Sequence, residues 1–318
     1  MSFFRQMGTF VGLCVIVLFF SIQLPGTFLT ASNFINVSQQ ISMLAVVAFS
    51  MTVVMVMGDF DLSVGSTASL AGVLAAVLFA QGYPVWVGIG AALGIGIVGG
   101  ILNGFLVAVV GILPFVATLG TLTVFSGLAF FISGGATIFG RDIPKSFSDF
   151  SRSGMPLDTV WLDGLKLPYL SLVAVGVLLI VWTMLEQTTY GRRLYAIGGN
   201  IQAAHLAGVK VTSLRLSAFA VTGFGAAVAG LMYASRVASA NPTQGAGLML
   251  DAIAAVFLGM TMGKEGEPRV LATLVGVLIL GILDNGLTQM RVDSYVREML
   301  VGTIVIAAVA MSSLGRRV

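Results

Sequence analysis

Long apolar runs recur from one end of the chain to the other, each interrupted by a few polar residues. Their length, ~20 residues, is what an α-helix needs to cross the hydrocarbon core of a bilayer. About ten spans are predicted, at residues 8–24, 35–57, 63–80, 85–108, 115–133, 167–185, 213–234, 249–262, 270–288 and 298–314. Short turns such as PGTFLTASNF, Gln81-Gly82-Tyr83-Pro84 and Gly111-Ile112-Leu113-Pro114 punctuate them. Two connections are long and polar, 134–166 and 186–212; a third, Gly263 to Arg269, is short and charged. The 134–166 stretch is rich in Ser, Asp, Gly and Pro, with Phe147, Phe150 and Trp161 interspersed, and reads as a partly ordered cap over the bundle. No period of 20 to 50 residues repeats, which excludes a solenoid. The pattern predicts an all-α polytopic membrane protein, with residues 1–318 forming one transmembrane domain.

Composition supports that class. The chain is 57% hydrophobic and 9% charged, where soluble domains sit near one quarter charged. Forty glycines without a collagen-like period predict closely approaching helices. A net charge of +3, spread over loops, gives no basis for a nucleic-acid partner. One cysteine, Cys14, and one histidine, His205, leave nothing for an internal disulfide or a metal cluster. Arg5 followed by the apolar run Phe10–Phe20 imitates a signal peptide, but IQLPGTF offers no convincing cleavage site, so a retained first helix is predicted.

An even number of spans puts both termini on one side. Arg5, Arg192, Arg193, Lys210, Arg215, Lys264, Arg269, Arg316 and Arg317 share that side. Arg141, Lys145, Arg152, Lys166, Arg236, Arg291 and Arg297 lie on the other, together with Asp142, Asp149, Asp158, Asp163, Asp293 and Glu298. The bias in Lys and Arg puts the termini and the 186–212 loop in the cytoplasm. The 134–166 segment then faces outward.

Chemistry concentrates in two stretches. GDFDLSVGS, residues 58–66, sets Asp59 and Asp61 at the edge of an oily segment, where acids are costly unless paired, hydrated or hydrogen-bonded. Gly58 and Gly65 permit backbone geometries that other residues resist, Ser63 and Ser66 can satisfy freed backbone groups, and Asp59 or Asp61 can cap the third span. One reading is a capped helix break. The other is a break lining a polar passage, since irregular backbone at membrane depth survives only inside protein or beside water. The two are compatible. A proton relay needs further acids at depth, and only Asp251 and Asp284, near span ends, qualify.

In the 186–212 loop, Gly198-Gly199-Asn200 is a turn signal and Asn200 a helix cap. Ile201 to Leu206 reads as a short helix ended by Gly208, with Ala203 and Ala204 giving it a smooth face. Spacing alone leaves open whether this helix docks into a groove on another protein or lies on the membrane, with Arg192 and Arg193 near lipid phosphates. Inside the spans, Asn103, Thr118, Thr121, Thr123, Ser126, Thr222, Asn285 and Gln289 are uncharged hydrogen-bonding groups. They suit a neutral sugar or polyol better than an ion, although most serve as helix–helix glue. Phe60, Phe125, Phe130 and Phe131 can stack on sugar faces. No G-x-x-x-x-G-K-[ST] loop, G-x-S-x-G turn or H-E-x-x-H helix is present. No catalytic or metal site is assigned, and ATP energy has to come from a partner.

Taken together, GDFDLSVGS and YGRRLYAIGGNIQAAHLAGV resemble the signatures of the ribose/arabinose-type permease subunits of bacterial ATP-binding cassette importers. The resemblance extends over nearly the whole chain in length, span count and motif order. It implies a type II-like importer permease fold with a broken helix at residues 58–66, set in the bacterial inner membrane among lipids. It also implies a second permease subunit, with a homodimer expected, a cytoplasmic ATPase that holds ATP and Mg, and an external sugar-binding protein. By position, Gly198, Gly199, Asn200, Ala203, Ala204 and Gly208 match the loop that docks on the ATPase, which decides the open choice in favour of docking. Asp59, Phe60, Asp61, Leu62 and Ser63 match the motif beside the translocation path, to which Asn103 and Asn285 are added as polar groups within spans. The chain departs from the family at LGMTMGKEGEPRVLATLVG, where a glycine-rich run is usual. An ion-driven secondary transporter and a branched-chain amino acid permease subunit are the rival readings.

Overall fold

A computed structural model describes residues 2–157, 164–262 and 266–314. Asp158, Trp161, Asp163, Lys264, Glu265, Arg316 and Arg317 lie outside the described residues, as does the side chain of Arg5. In chain order the helices are α1 (Ser2–Gln23), α2 (Ala31–Met55), α3 (Val64–Ala80), α4 (Val85–Ala108), α5 (Pro114–Ser133), α6 (Lys145–Arg152) and α7 (Tyr169–Trp182), which runs on through a π turn at Thr183–Gln187. They continue with α8 (Thr189–Gly199), α9 (Ile201–Leu206), α10 (Val211–Val237), α11 (Ala246–Met260), α12 (Val270–Gln289) and α13 (Ser294–Leu314). Six of them are long and apolar enough to cross a membrane, and three shorter apolar helices stand beside these, among the described residues. The protein is all-α and polytopic.

Helix ends follow local chemistry. Thr30 caps α2 by accepting the Asn33 amide, and Pro114 opens α5 where a missing N–H costs nothing. The α2 helix closes with a left-handed Gly58, whose amide reaches the Met55 carbonyl while the Asp59 amide reaches that of Val54. That pair of bonds is a Schellman ending, and it needs a residue tolerant of φ +79.

The α2 helix forms the middle of the bundle. From Ala45 to Met57 it is buried on every side, packed by α7, α10, α11 and α12. The α4 and α10 helices meet backbone to backbone: a Cβ on Gly100 lies 2.2 Å from the Phe219 carbonyl oxygen, and one on Gly223 lies 2.2 Å from that of Gly96. Only hydrogen fits there, which is how the scattered glycines convert into helix contact. The outer faces of α4, α5 and α7 expose apolar side chains such as Val98, Phe131 and Ile180, as a lipid-facing surface must.

The bundle has two distinct ends. One gathers the α2–α3 connection, α8, α9 and the start of α12. The other carries the cap. There β1 (Ile138–Phe139) pairs antiparallel with the fourth strand, Ser239–Ala240, while β2 (Gly154–Pro156) pairs with β3 (Lys166–Pro168). Ser151 and Ser235 exchange bonds between the loop and α10, the Ser151 hydroxyl to the Ser235 carbonyl at 2.9 Å and the Ser235 hydroxyl to the Phe147 carbonyl at 2.6 Å.

Candidate functional site

At the break the two acids take different partners. Asp59 does not cap α3. Its carboxylate pairs with the Arg215 guanidinium at the start of α10, Oδ1 to Nη2 at 3.0 Å and Oδ2 to Nε at 3.0 Å. Only the Nη2–Oδ1 contact is a hydrogen bond; Oδ2 and Nε are in ion-pair contact without hydrogen-bond geometry. Asp61 wraps the turn ahead of α3, its Oδ1 accepting from the Ser63 amide at 2.9 Å and the Ser63 hydroxyl at 2.7 Å. Ser63 stands at the cap position but makes no side-chain cap bond, because its hydroxyl is already engaged. Asn103, from α4, donates to the Ser63 Oγ at 2.8 Å and to the Asp61 carboxylate at 3.3 Å. Thr121, from α5, donates to the Asn103 Oδ1 at 2.6 Å. Asp59, Asp61, Ser63 and Asn103 are all buried.

Phe60 sits between the acids, half-buried, with its ring centroid 6.0 Å from that of Phe257 on α11. Its carbonyl lies 3.4 Å from the Thr118 hydroxyl. Asn285 is not part of this group. It lies near the end of α12 and accepts from Gln289, which also donates to Asn33 at the cap end of α2. The four residues 59, 60, 61 and 63 therefore come together with Asn103, while Asn285 belongs to a separate polar contact.

The 186–212 loop folds as two helices rather than a loop. Gly198 and Gly199 are the last turn of α8, not a turn of their own, because the helix runs unbroken to the extended Asn200. Asn200 caps α9 by accepting the Ala203 amide at 2.9 Å. Gly208, at φ +80, ends it. A Cβ on Gly198 lies 2.1 Å from the Val56 carbonyl oxygen, so the end of α8 rests directly on the backbone entering the break. Gly199 has open space instead. Ala203 and Ala204 part company: Ala204 is buried against the bundle and Ala203 is exposed. Leu206, 88% exposed, projects from the same short helix.

The α8 helix is tied sideways too. Tyr195 donates to the Pro268 carbonyl at 3.0 Å, so the residues just ahead of α12 abut the same helix. Burial, with the Glu186 carboxylate second, pushes the Tyr195 phenol up to about 12. Tyr190 and Ser217 share a 3.0 Å bond to α10.

Sequence reasoning missed Arg215 as a partner. The signal was a cation one turn into an apolar helix, in VTSLRLSAFA, where an unpaired charge is costly. By sequence Asp284 stands out only as an acid near a span end. It is held by Gln40 and Arg297 at the cap end.

A family model described as "Branched-chain amino acid transport system / permease component" matches residues 33–309. The ribose import permease protein of Bacillus subtilis (strain 168) is 38% identical over 96% of this chain and 92% of its own length. The L-arabinose transport system permease protein of Escherichia coli (strain K12) is 34% identical over 96% of this chain and 89% of its own. The D-allose transport system permease protein of the same strain is 32% identical over 98% and 93%. No solved structure matches the chain.

Proposed function

This chain belongs to the family of permease components typified by branched-chain amino acid transport systems, and on that premise we propose that it is the membrane subunit of an ATP-driven importer of a neutral monosaccharide. The relatives named for ribose, allose and arabinose support a sugar over an amino acid. The subunit carries no catalytic group for ATP. A cytoplasmic ATPase holds ATP and Mg, an external sugar-binding protein delivers substrate, and two copies of this chain form the pore in the inner membrane. Ten spans, with both termini in the cytoplasm, put α9 on the ATPase side and the 134–166 cap on the outside.

The observation that carries the reading is the placement of α9. Leu206, a large apolar side chain, stands 88% exposed on a short polar-flanked helix, and the helix before it rests on the break at Val56. An exposed leucine there finds its cover on the ATPase. Movement of the ATPase shifts α8 and α9 together, since Asn200 joins them without a flexible residue between. Gly198 passes the shift to Val56 and Met57. The Asp59–Arg215 pair carries it into α10, and the Asp61–Ser63–Asn103–Thr121 knot carries it into α3, α4 and α5. Asp59, Phe60, Asp61, Ser63 and Asn103 in this account transmit the opening of the pathway. Asn285 lies nearer its outer mouth.

The test is co-purification. The affinity-tagged chain brings down its ATPase, and Ala203→Trp, at an exposed position, removes that association by roughly tenfold or more because interfaces tolerate little overlap. Ala203→Trp that still binds the ATPase and transports at the wild-type rate removes α9 as the docking element.

A further inference from the structure

A cavity of about 860 Å³ opens among α2, α10, α11, α12 and α13 at the cap end of the bundle. Its volume lies within the range of small-molecule sites, roughly 300–1,000 Å³. Gln40, Tyr233, Asp251, Asp284 and Arg297 line it along with apolar residues. Asp284 is gripped from both sides: Gln40 Nε2 donates to Oδ2 at 2.5 Å, and Arg297 Nη1 lies 2.5 Å from Oδ1. Asp251 is different. Its side chain is exposed to the cavity and takes no hydrogen bond among the described residues.

The charges of the wall nearly cancel, with Asp251, Asp284 and Glu298 against Arg236 and Arg297. Arg297 is committed to Asp284, so the wall does not single out an anion. Carboxylates that accept and amide or phenol groups that both donate and accept are what the hydroxyls of a polyol require. Phe257 supplies an apolar ring of the kind on which the C–H face of a sugar rests. That ring also touches Phe60, 6.0 Å away between centroids. The cavity floor and the break are thus one contact apart.

We propose that this cavity receives the monosaccharide from the outer side, with Asp251 and Gln40 holding its hydroxyls and the Phe257–Phe60 ring pair closing its floor until the break moves. The proposal rests on the reading of the chain as a sugar-importer subunit, and it assigns the sugar to the outer cavity rather than to the bonded knot at the break.

Gly247, in the first turn of α11, gives a clean test. It lines the cavity, and a Cβ built there meets nothing within 4 Å. The complete importer (permease, ATPase and external binding protein) is reconstituted with Gly247→Ala, Gly247→Leu and Gly247→Trp. Uptake of radiolabelled ribose, arabinose and allose is measured against assembly and basal ATP hydrolysis. Uptake is expected to fall stepwise with side-chain volume as each addition takes part of the cavity, while the ATPase stays bound and active. Wild-type uptake by both the assembled Gly247→Trp importer and an assembled Asp251→Asn importer overturns the proposal. If the Gly247→Trp variant does not assemble, the isosteric Asp251→Asn decides: lost uptake with the ATPase still bound supports the site, and undiminished uptake overturns it. An unsubstituted importer that takes up an amino acid and no monosaccharide overturns the sugar reading and this proposal together. Monosaccharide uptake that ignores every cavity substitution overturns the cavity alone.

Discussion

The break and the cap-end cavity are both polar islands in an apolar bundle, yet they are built oppositely. At the break the polar side chains meet one another: Asp59 pairs with Arg215, and Asp61, Ser63, Asn103 and Thr121 are joined by hydrogen bonds. At the cavity the groups surround empty volume, and Asp251 is left without a protein partner among the described residues. A bonded network locks helices to each other and passes displacement along. A wall with unpaired groups around a space leaves room for a ligand to enter and leave. On the proposed reading the same residue types serve transmission in one place and recognition in the other, and the difference lies in packing.

The largest expected effect is at the ion pair. Arg215→Met leaves Asp59 as an uncompensated buried charge, which costs about 3–5 kcal/mol. Thermal unfolding of the detergent-solubilised protein is expected to drop accordingly, and adding Asp59→Asn is expected to restore much of the loss. An unchanged midpoint in the single variant contradicts a tight pair.

Next comes the seat of α8. Gly198→Val forces atoms onto the Val56 carbonyl, an overpacking of about 1–3 kcal/mol. ATP hydrolysis in the assembled importer is expected to continue with uptake largely lost. Gly199→Ala, with open space at its Cβ, is expected to behave as wild type. Equal effects from the two neighbours contradict a specific contact at position 198.

Asp61→Asn is smaller. The new amide turns a donor toward Asn103, which already donates, and the mispairing costs about 1–3 kcal/mol. Transport is expected to suffer more than membrane insertion, as measured by uptake against fractionation. Unchanged uptake reduces Asp61 to an ordinary turn residue.

The smallest effect is at Tyr195. Tyr195→Phe removes one bond to Pro268, about 1 kcal/mol. The phenol's pKa is raised from 10.0 to about 12. A group that is harder to ionise when folded contributes stability below its unfolded value and loses it as pH climbs through the folded one. The difference between wild type and variant is therefore expected to stay constant from about pH 6 to 9 and to shrink only above about 10. A difference that changes near neutral pH contradicts the buried, protonated phenol.

Much of this was legible in the sequence, for local reasons. Spans follow from runs of apolar residues, so the expected 85–108 coincides with α4 and 63–80 differs from α3 by one residue. The α9 helix is written in its cap and its end, Asn200 and Gly208. The break is written in GDFDLSVGS, two acids between glycines at the edge of an oily run; that Gly58 takes a left-handed turn is seen in the structure. The partners of the acids were not legible, because Asp59 and Arg215 lie 156 positions apart and nothing local couples them. The opposite fates of Ala203 and Ala204 depend on which side of a six-residue helix meets the bundle, which small neutral residues do not advertise. The cavity is assembled from five helices, each contributing one to three polar residues that read singly as span-end residues.

The central claim is that the chain has no energy source of its own and receives work from outside through α9. Accumulation of labelled monosaccharide in proteoliposomes, with and without the ATPase, the binding protein and ATP, measures this directly. Concentrative uptake is expected only when all three are present, and none when the permease stands alone under a proton or sodium gradient. Accumulation driven by such a gradient in the lone polypeptide contradicts the account.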